Sequence, residues 1–410
     1  MAAQWRCHGQ LHALHARVWE EHSVRLCCAT WNANGKVQPQ AAVREWLRGA
    51  EDLWGEAGAE IYVVGLQEAV ELDAMNLMAD AGSLVRAAGP GDGAYVDAKG
   101  RTTALGAWRA RVEAALQDVG GGLELVAARQ LVGIMLFVLA APHIRPLIAD
   151  VEADSVRTGL GGMAGNKGAI GVRMTVGLST VCFVCAHLAA HKKNTAERNS
   201  NYHAIINGLA FGEGAGAGGA AGDPGDLPRR ARAALSGEGA VPSAHVLRQD
   251  DVVVFGDLNY RLDGAADAAA VAQMVAEGRI EELRASDQLE RERRAGRAFW
   301  GFSEGPLAFA PTYKFVPDSD EYSGGGKGRV PAWTDRVLWS GAGHGGLSLL
   351  AYRACMQVRG SDHKPVVALF DLCIKQGVRS PSLVESLVRG LESPPGQAGA
   401  SSDTQEHHAV

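Results

Sequence analysis

The 410-residue chain has no apolar run long enough to cross a bilayer. The longest, residues 131–141, falls far short of the roughly 20 residues that a spanning helix needs. The first residues, MAAQWRCHGQLHALHARVWEEH, hold no continuous apolar core, so a secretory signal is not expected. The C-terminus offers no cysteine for prenylation. A basic excess is also missing: 40 Lys and Arg stand against 46 Asp and Glu, a net charge of −6. That balance weighs against a general nucleic-acid binder. It still allows an anionic substrate, provided the cations gather at one place. Cysteine is scarce and odd in number, at seven, and Cys27 and Cys28 are neighbours, so no disulfide framework is expected. The lone C-x-x-C of Cys182 and Cys185 lies in a strand-like run, where positions three apart face opposite sides. Core thiols in a reducing, cytoplasmic compartment fit that placement. Peripheral contact with a membrane would fall to loops or a partner.

What is present suits a large folded body. Apolar residues make up 47% of the chain and charged residues 21%, ordinary globular proportions. The 52 glycines cluster without a fixed period, so no solenoid or propeller repeat is indicated. Strand-like runs occupy 24–31, 61–66, 123–128, 131–141, 144–151, 169–176, 180–188, 251–255, 335–339 and 365–370. Several are apolar almost throughout, the mark of strands covered on both faces. Runs 123–128 and 131–141 are too close for a parallel crossover and are expected to pair antiparallel. Helical spacing appears at 40–47, 104–117, 194–210 and 265–276. The reading is a mixed α/β domain with paired, buried sheets. Two Gly/Ala-rich stretches, about 82–106 and 212–240, carry few bulky apolar residues and are read as flexible surface insertions.

Polar residues recur just past the ends of the buried runs. Asn32 and Asn34 follow the first, Gln67 and Glu68 the second, and His187 ends the cysteine-containing one. Asp257 and Asn259 follow 251–255, and Asp335, Asp362 and His363 come near the end. Each alone has an ordinary explanation: Asn or Asp forms turns, and Glu68 can open a helix over 68–79. The set is harder to explain that way, because strand ends are where α/β enzymes build sites. Oxygen donors such as Glu68 and Asn32, with no Cys/His cluster, suit Mg²⁺ rather than Zn²⁺. Asp257 with Asn259 can activate and orient water, and the histidines can donate to phosphoryl oxygens. Lys314, Lys327, Arg329 and Arg336, interleaved with Tyr313, Phe315 and Trp333, read as an anion-recognition surface. The segment GLGGMAGNKG can be aligned with a dinucleotide fingerprint, but no helical pattern follows it. Lys167 is followed by Gly168 rather than Ser or Thr, so it is not a P-loop either.

In chain order, TWNANG, LQE, GNKGAIGV, AHLAAH, ERN, FGDLNYR, PTYKF, RVPAWTDRVLW and SDHKPV resemble the catalytic domain of inositol polyphosphate 5-phosphatases. That family lies within the DNase-I-like metal-dependent phosphoesterases. The similarity runs from about residue 24 to 372, and GNKG, PTYKF and PAWTDR are its most specific parts. It implies a four-layer α/β sandwich, with two packed mixed sheets flanked by helices and the site at one rim. It implies Mg²⁺ at Glu68 and Asn32, Asp257 as general base held by Asn259, and His187 as a donor to the phosphoryl group. His363 would contact the scissile phosphate, oriented by Asp335, with Asp362 supporting the metal end. Asn166 and Lys167 would line the pocket, and Tyr313, Lys314, Lys327 and Arg329 would grip a neighbouring 4-phosphate. Two positions depart from the family: Asn201 stands where Asp is frequent and Thr334 where Cys is common. Both are expected to affect packing rather than activity.

The expected organisation is a lead over 1–22, a 5-phosphatase catalytic domain over 23–375 and a disordered tail over 376–410. The expected activity is Mg²⁺-dependent removal of the 5-phosphate from phosphoinositides or soluble inositol polyphosphates. Two alternatives stay open at this point. One is another phosphodiesterase of the superfamily, an endonuclease or sphingomyelinase, which has no need of PTYKF or of Lys327 and Arg329. The other is a catalytically silent phosphoinositide-binding module, although no catalytic residue is missing.

Overall fold

In a strand, successive side chains point to opposite faces, so a strand apolar at every position must be covered on both. Residues 61–67 are buried throughout. Ile61 and Val63 enter one core, while Tyr62, Val64 and Leu66 enter another. The same alternation repeats around the molecule and sets its layers.

The computed structural model describes residues 19–49, 51–55, 58–71, 102–119, 122–159, 164–211, 245–264, 267–323, 329–341 and 346–377. In chain order these form β1 (Trp19–Asn32), α1 (Gln40–Leu47), α2 (Glu51–Trp54), β2 (Ile61–Gln67), α3 (Ala104–Leu116), β3 (Glu124–Leu131) and β4 (Ile134–Ala140). Then come β5 (Ile148–Gly159), β6 (Ala164–Val176), β7 (Ser179–His187), α4 (Thr195–Gly208), β8 (Asp251–Asp257) and α5 (Ala268–Ala276). The last are α6 (Ile280–Arg284), α7 (Gln288–Arg294), β9 (Ser303–Glu304), β10 (Asp335–Gly341), β11 (Leu347–Ala354) and β12 (Val366–Gly377). Residues Glu21–Lys375 make one compact unit.

Two six-stranded sheets result, ordered β11-β12-β1-β2-β4-β3 and β5-β6-β7-β8-β10-β9. Each is mixed: β1 runs parallel to β2 and β7 parallel to β8, with antiparallel neighbours alongside. Phe183, Phe255 and Phe370 lie in the core between the sheets. Trp46 of α1 and Trp108 of α3 cover the outer face of the first sheet. Tyr202 and Ile205 of α4, with Phe299 and Phe302, cover the second. The architecture is a four-layer α/β sandwich. Cys185 faces the inter-sheet core and Cys182 the helix side, both as free thiols.

Several local expectations need correction. The β3–β4 hairpin is antiparallel, but it turns at Val132 and Gly133 rather than at 129–130. Arg129 and Gln130 stay in the ladder, while Val132 takes the left-handed conformation at φ 51°. Residues 145–147 form a single 3₁₀ turn, because Pro146 has no N–H for the sheet. β5 instead begins at Ile148 and runs on to Gly159 as an edge strand, too polar to read as buried. β11, also an edge strand, was not expected either. The stretch 82–106 ends inside α3, whose first turn is capped by Thr103 Oγ1 accepting from the Gly106 N–H at 3.1 Å. Residues 82–101, 212–240 and 378–410 lie outside the described residues. Glu68 does not open a helix: it sits at φ 46° in irregular chain, and 72–79 lie outside the described residues.

Candidate active site

Strand register gathers the polar residues. Across the second sheet, Gly168 pairs with His187, His187 with Asp257 and Asp257 with Asp335, so Lys167 and the three others share one end of four strands. Across the first sheet, Asn32 pairs with Gln67, and Glu68 follows. The two rims meet where Asn32 Nδ2 donates to Asp257 Oδ2 at 2.9 Å. His363, just before β12, completes the group, and Trp31 Nε1 holds its carbonyl at 3.0 Å. His187 Nε2 lies 3.8 Å from Glu68 Oε1 and 3.2 Å from Asp257 Oδ2, and His363 Nε2 lies 4.0 Å from the same Asp257 oxygen. Glu68 and Asp257 thus converge on His187, and His363 on the same Asp257 oxygen. Two glycines make the approach possible. A Cβ at Gly256 (φ +135°) would fall 2.0 Å from the Ala186 carbonyl oxygen, and one at Gly168 (φ +148°) would fall 2.1 Å from that of Val156. Both positions demand glycine, and each adjoins a site residue.

The electrostatics follow from burial and partners. Burial alone would raise the Asp257 carboxyl, but the adjoining His187 ring and the charges of His363 and Lys167 hold it well below the usual carboxylate range. The Asn259 N–H adds a hydrogen bond to Asp257 Oδ1 at 3.1 Å. The Asn259 side chain is held by the Leu188 carbonyl and by Arg261. For His363, burial lowers the pKa, yet the adjoining Asp335, then Asp257 and Asp362, push it up to about 10. Its Nδ1–H meets Asp335 Oδ2 at 2.9 Å, so the ring is an imidazolium at neutral pH, with Nε2–H on the side of Asp257. His187 moves the other way: burial and the nearby Lys167 keep it neutral. Burial also lowers Lys167, against the pull of Asp257 and Glu68.

A second group of residues lies beside His363. The Tyr313 ring is 4.4 Å from the imidazole, and the Arg261 guanidinium stacks 4.5 Å from the Tyr313 centroid. Arg329 Nη1 donates to the Tyr313 hydroxyl at 2.7 Å, and Lys314 Nζ pairs with Asp362 Oδ2 at 2.7 Å. Asp362 thus faces a cation on this side. Asn166 Oδ1 is buried with no hydrogen-bond partner, an acceptor ready for a hydroxyl or ammonium donor. Lys327 lies outside the described residues. Arg336 is not part of a recognition surface. It is fully buried, with Nε and Nη2 on Glu304 at 2.6 and 2.8 Å and Nη1 on Asp287 at 3.0 Å. An unpaired buried charge is too costly to leave, so its carboxylate partners come from elsewhere in the chain.

The oxygen donors fit a divalent cation. Among the described residues the Glu68 carboxylate takes no hydrogen bond, and its side chain is one-third exposed at 34%. Asn32 Oδ1 accepts only the Asn34 N–H at 3.1 Å, which leaves it a lone pair. Hard oxygens of this kind suit Mg²⁺ or Ca²⁺. Asp257, Asp335 and His363 also bring ligand atoms within 4.8 Å of one another. Asp335, however, already accepts from Thr312, Thr334 and His363, so that trio is a hydrogen-bond network rather than an open cage.

Some contributors were not singled out from sequence. Arg198, fully buried, donates to the Ala189, His191 and Lys192 carbonyls and so shapes the loop after β7. Ser361 Oγ ties the His363 loop to the Asn32 carbonyl at 2.7 Å. Both lie within the motifs ERN and SDH, but their partners are 6–9 and 329 residues away in sequence for Arg198 and Ser361 respectively. Asn201 Oδ1 accepts the Ala189 N–H at 3.1 Å, a bond that an aspartate would also make.

Residues 29–369 match endonuclease/exonuclease/phosphatase family 2. Human synaptojanin-1 is 31% identical over 391 residues, which cover 86% of this chain and 22% of that protein. The mouse type II inositol 1,4,5-trisphosphate 5-phosphatase is 34% identical over 267 residues, 64% of this chain and 24% of that protein. The chain thus spans about a quarter of the length of these curated relatives. The solved inositol polyphosphate 5-phosphatase domain of SPsynaptojanin, in complex with inositol (1,4)-bisphosphate and a calcium ion, matches with a TM-score of 0.70 at 28% identity. That match covers 95% of this chain and 96% of the other. The chain belongs to endonuclease/exonuclease/phosphatase family 2 and, within it, to the inositol polyphosphate 5-phosphatase domains.

Proposed function

We propose that the chain hydrolyses the 5-phosphate of phosphoinositides or soluble inositol polyphosphates, with Mg²⁺ as its cation. The observation that carries this reading is the Asp257 carboxylate. It is held by Asn32 from the facing sheet, flanked by the imidazoles of His187 and His363, and neighboured by the Tyr313–Arg329 wall. A divalent cation held by Glu68 and Asn32 would neutralise charge on a phosphoryl oxygen.

The protein's own groups do the rest. Asp257, ionised at neutral pH, accepts a proton from water as that water attacks phosphorus, and the Asn259 N–H keeps the carboxylate aimed. The His363 imidazolium donates from Nε2 to a phosphoryl oxygen, while Asp335 keeps Nδ1 protonated. Lys167 adds a cation beside His187, and Asn166 Oδ1 accepts from a ring hydroxyl. Tyr313, Lys314 and Arg329 grip the adjacent 4-phosphate, Lys327 being assigned there from the motif alone, and this favours an inositol ring over DNA. Asp362, paired with Lys314, joins the phosphate grip to His363. The catalytic body spans about 23–375. A cytoplasmic location with peripheral contact to lipid belongs to the same proposal; no helix among the described residues is long and apolar enough to cross a membrane.

The test uses the purified chain with a panel of inositides carrying or lacking the 5-phosphate, with and without acyl chains. Each is assayed in Mg²⁺ and again after chelation. Phosphate release is expected only from 5-phosphorylated members and only with the cation. Equal release from both groups, no release at all, or nicking of plasmid DNA in their place would overturn the proposal.

A further inference from the structure

We infer that Thr334 is a positioning residue for this reaction: its hydroxyl, with that of Thr312, locks the Asp335 carboxylate that orients His363. The inference rests on the hydrolytic reading above. It concerns a position where the sequence led us to expect an effect on packing alone.

Thr312, Thr334 and Asp335 are each fully buried. Thr312 Oγ1 donates to Asp335 Oδ2 at 2.7 Å and Thr334 Oγ1 donates to the same oxygen at 2.9 Å. His363 Nδ1 lies 2.9 Å from that oxygen and 3.2 Å from Oδ1. One carboxylate oxygen therefore takes three donors, which fixes the carboxylate plane and not merely its position. Thr334 Oγ1 also lies 3.3 Å from His363 Nδ1. A hydroxyl has one proton, and here it goes to Asp335. Its remaining lone pairs face the Nδ1–H, so that proton is shared between Asp335 and Thr334. The ring cannot rotate without losing both acceptors, and Tyr313 stacks against it at 4.4 Å.

The backbone of the same residue works toward the same end. The Thr334 carbonyl accepts the Leu258 N–H at 2.8 Å and the Asn259 N–H at 3.3 Å. Thr334 thus ties the segment carrying Asp257 to the pair that aims His363. A thiol at this position would be a weaker donor and a weaker acceptor. With Thr, the imidazole in this chain is held more firmly than Cys would hold it.

Two variants separate orientation from packing. Thr334→Val keeps the shape and loses the hydroxyl, and Thr334→Ser keeps the hydroxyl. With a 5-phosphorylated inositide, Thr334→Val is expected to lower kcat about tenfold with KM within about twofold of wild type, the scale of one lost hydrogen bond. Thr334→Ser is expected to restore kcat. In ¹⁵N-histidine-labelled protein without metal or substrate, the hydrogen-bonded His363 Nδ1–H resonance is expected in wild type and Thr334→Ser and shifted or broadened in Thr334→Val. An unmoved resonance and wild-type kcat in Thr334→Val would overturn the inference. So would equal kcat losses in both variants in step with their melting temperatures, the mark of a packing role. Wild-type protein without phosphatase activity would defeat the hydrolytic reading alone, because the resonance reports ring placement in the absence of substrate.

Discussion

Lys167 Nζ lies 2.5 Å from His187 Nε2, closer than the Asp257 carboxylate oxygen at 3.2 Å. A single ring nitrogen serves one of these partners. With the ammonium donating, Nε2 is the acceptor and His187 has no proton there for a phosphoryl group. On the proposed reaction, an anionic substrate that draws the ammonium away would free Nε2 to take up a proton and donate.

Lys167 and His187 are therefore expected to act as a unit. Lys167→Met should lower kcat/KM by on the order of 10²-fold and His187→Ala by a similar factor, within the range for a positioned proton-transfer or charge-stabilising group. The double variant should lose far less than the product of the two. Steady-state phosphate release from all four proteins measures this coupling, and factors that simply multiply would show that the two residues act independently.

Asp257→Asn removes the proton acceptor and keeps the shape and the backbone bond from Asn259. Turnover should fall by roughly 10³-fold or more, with circular dichroism and melting close to wild type. A variant retaining a substantial fraction of the rate would remove Asp257 from the base role.

Arg336→Met tests the corrected placement of that cation. Removing it leaves Asp287 and Glu304 as buried carboxylates, with Glu304 retaining Arg293 at 3.3 Å. The expected loss is about 3–5 kcal/mol of unfolding free energy, as for other broken buried pairs. Denaturant titration measures it. A loss below about 1 kcal/mol, together with weakened substrate binding, would return Arg336 to the recognition surface.

Asp251 gives a pH dependence remote from the site. Burial and the neighbouring Asp250 raise its carboxyl from 3.8 to about 6, against a hydrogen bond from the Leu347 N–H. An acid whose pKa is higher in the folded state than in the unfolded one stabilises the fold when protonated. Its contribution is present below 3.8 and is lost as pH rises through about 6. Asp251→Asn keeps an acceptor for Leu347 and abolishes the titration. The variant should be more stable than wild type at pH 7, by on the order of 2–3 kcal/mol, with the difference fading toward pH 4. Parallel stability curves across that range would sink the assignment.

Much of the site was legible because strand ends are local features. The apolar run 61–67 announces a buried strand and places Gln67 and Glu68 at its tip without reference to anything distant. The same holds for His187 at the end of β7 and Asp257 at the end of β8. Edge strands were harder to see: β11 is apolar in sequence, but Leu347, Leu349, Leu350 and Ala351 follow no clean alternation and its residues are mostly only partly buried. The hairpin turn was misplaced because Arg129 and Gln130 are polar yet remain paired.

Order along the chain thus determined the kinds of elements, the positions of the polar strand tips and the motif set that marks the family. Those signals depend on spacing within a few residues. Tertiary structure decided which of these groups face each other. Arg329 and Arg336 bear the same charge in one motif, yet Arg329 reaches the Tyr313 hydroxyl while Arg336 turns inward to Asp287 and Glu304, 49 and 32 residues away. Likewise, Asn32 and Asp257 are 225 residues apart and meet only because two sheets pack face to face. Hydrogen bonds and ion pairs act over a few ångströms of space, and only the packing of the sheets sets those distances.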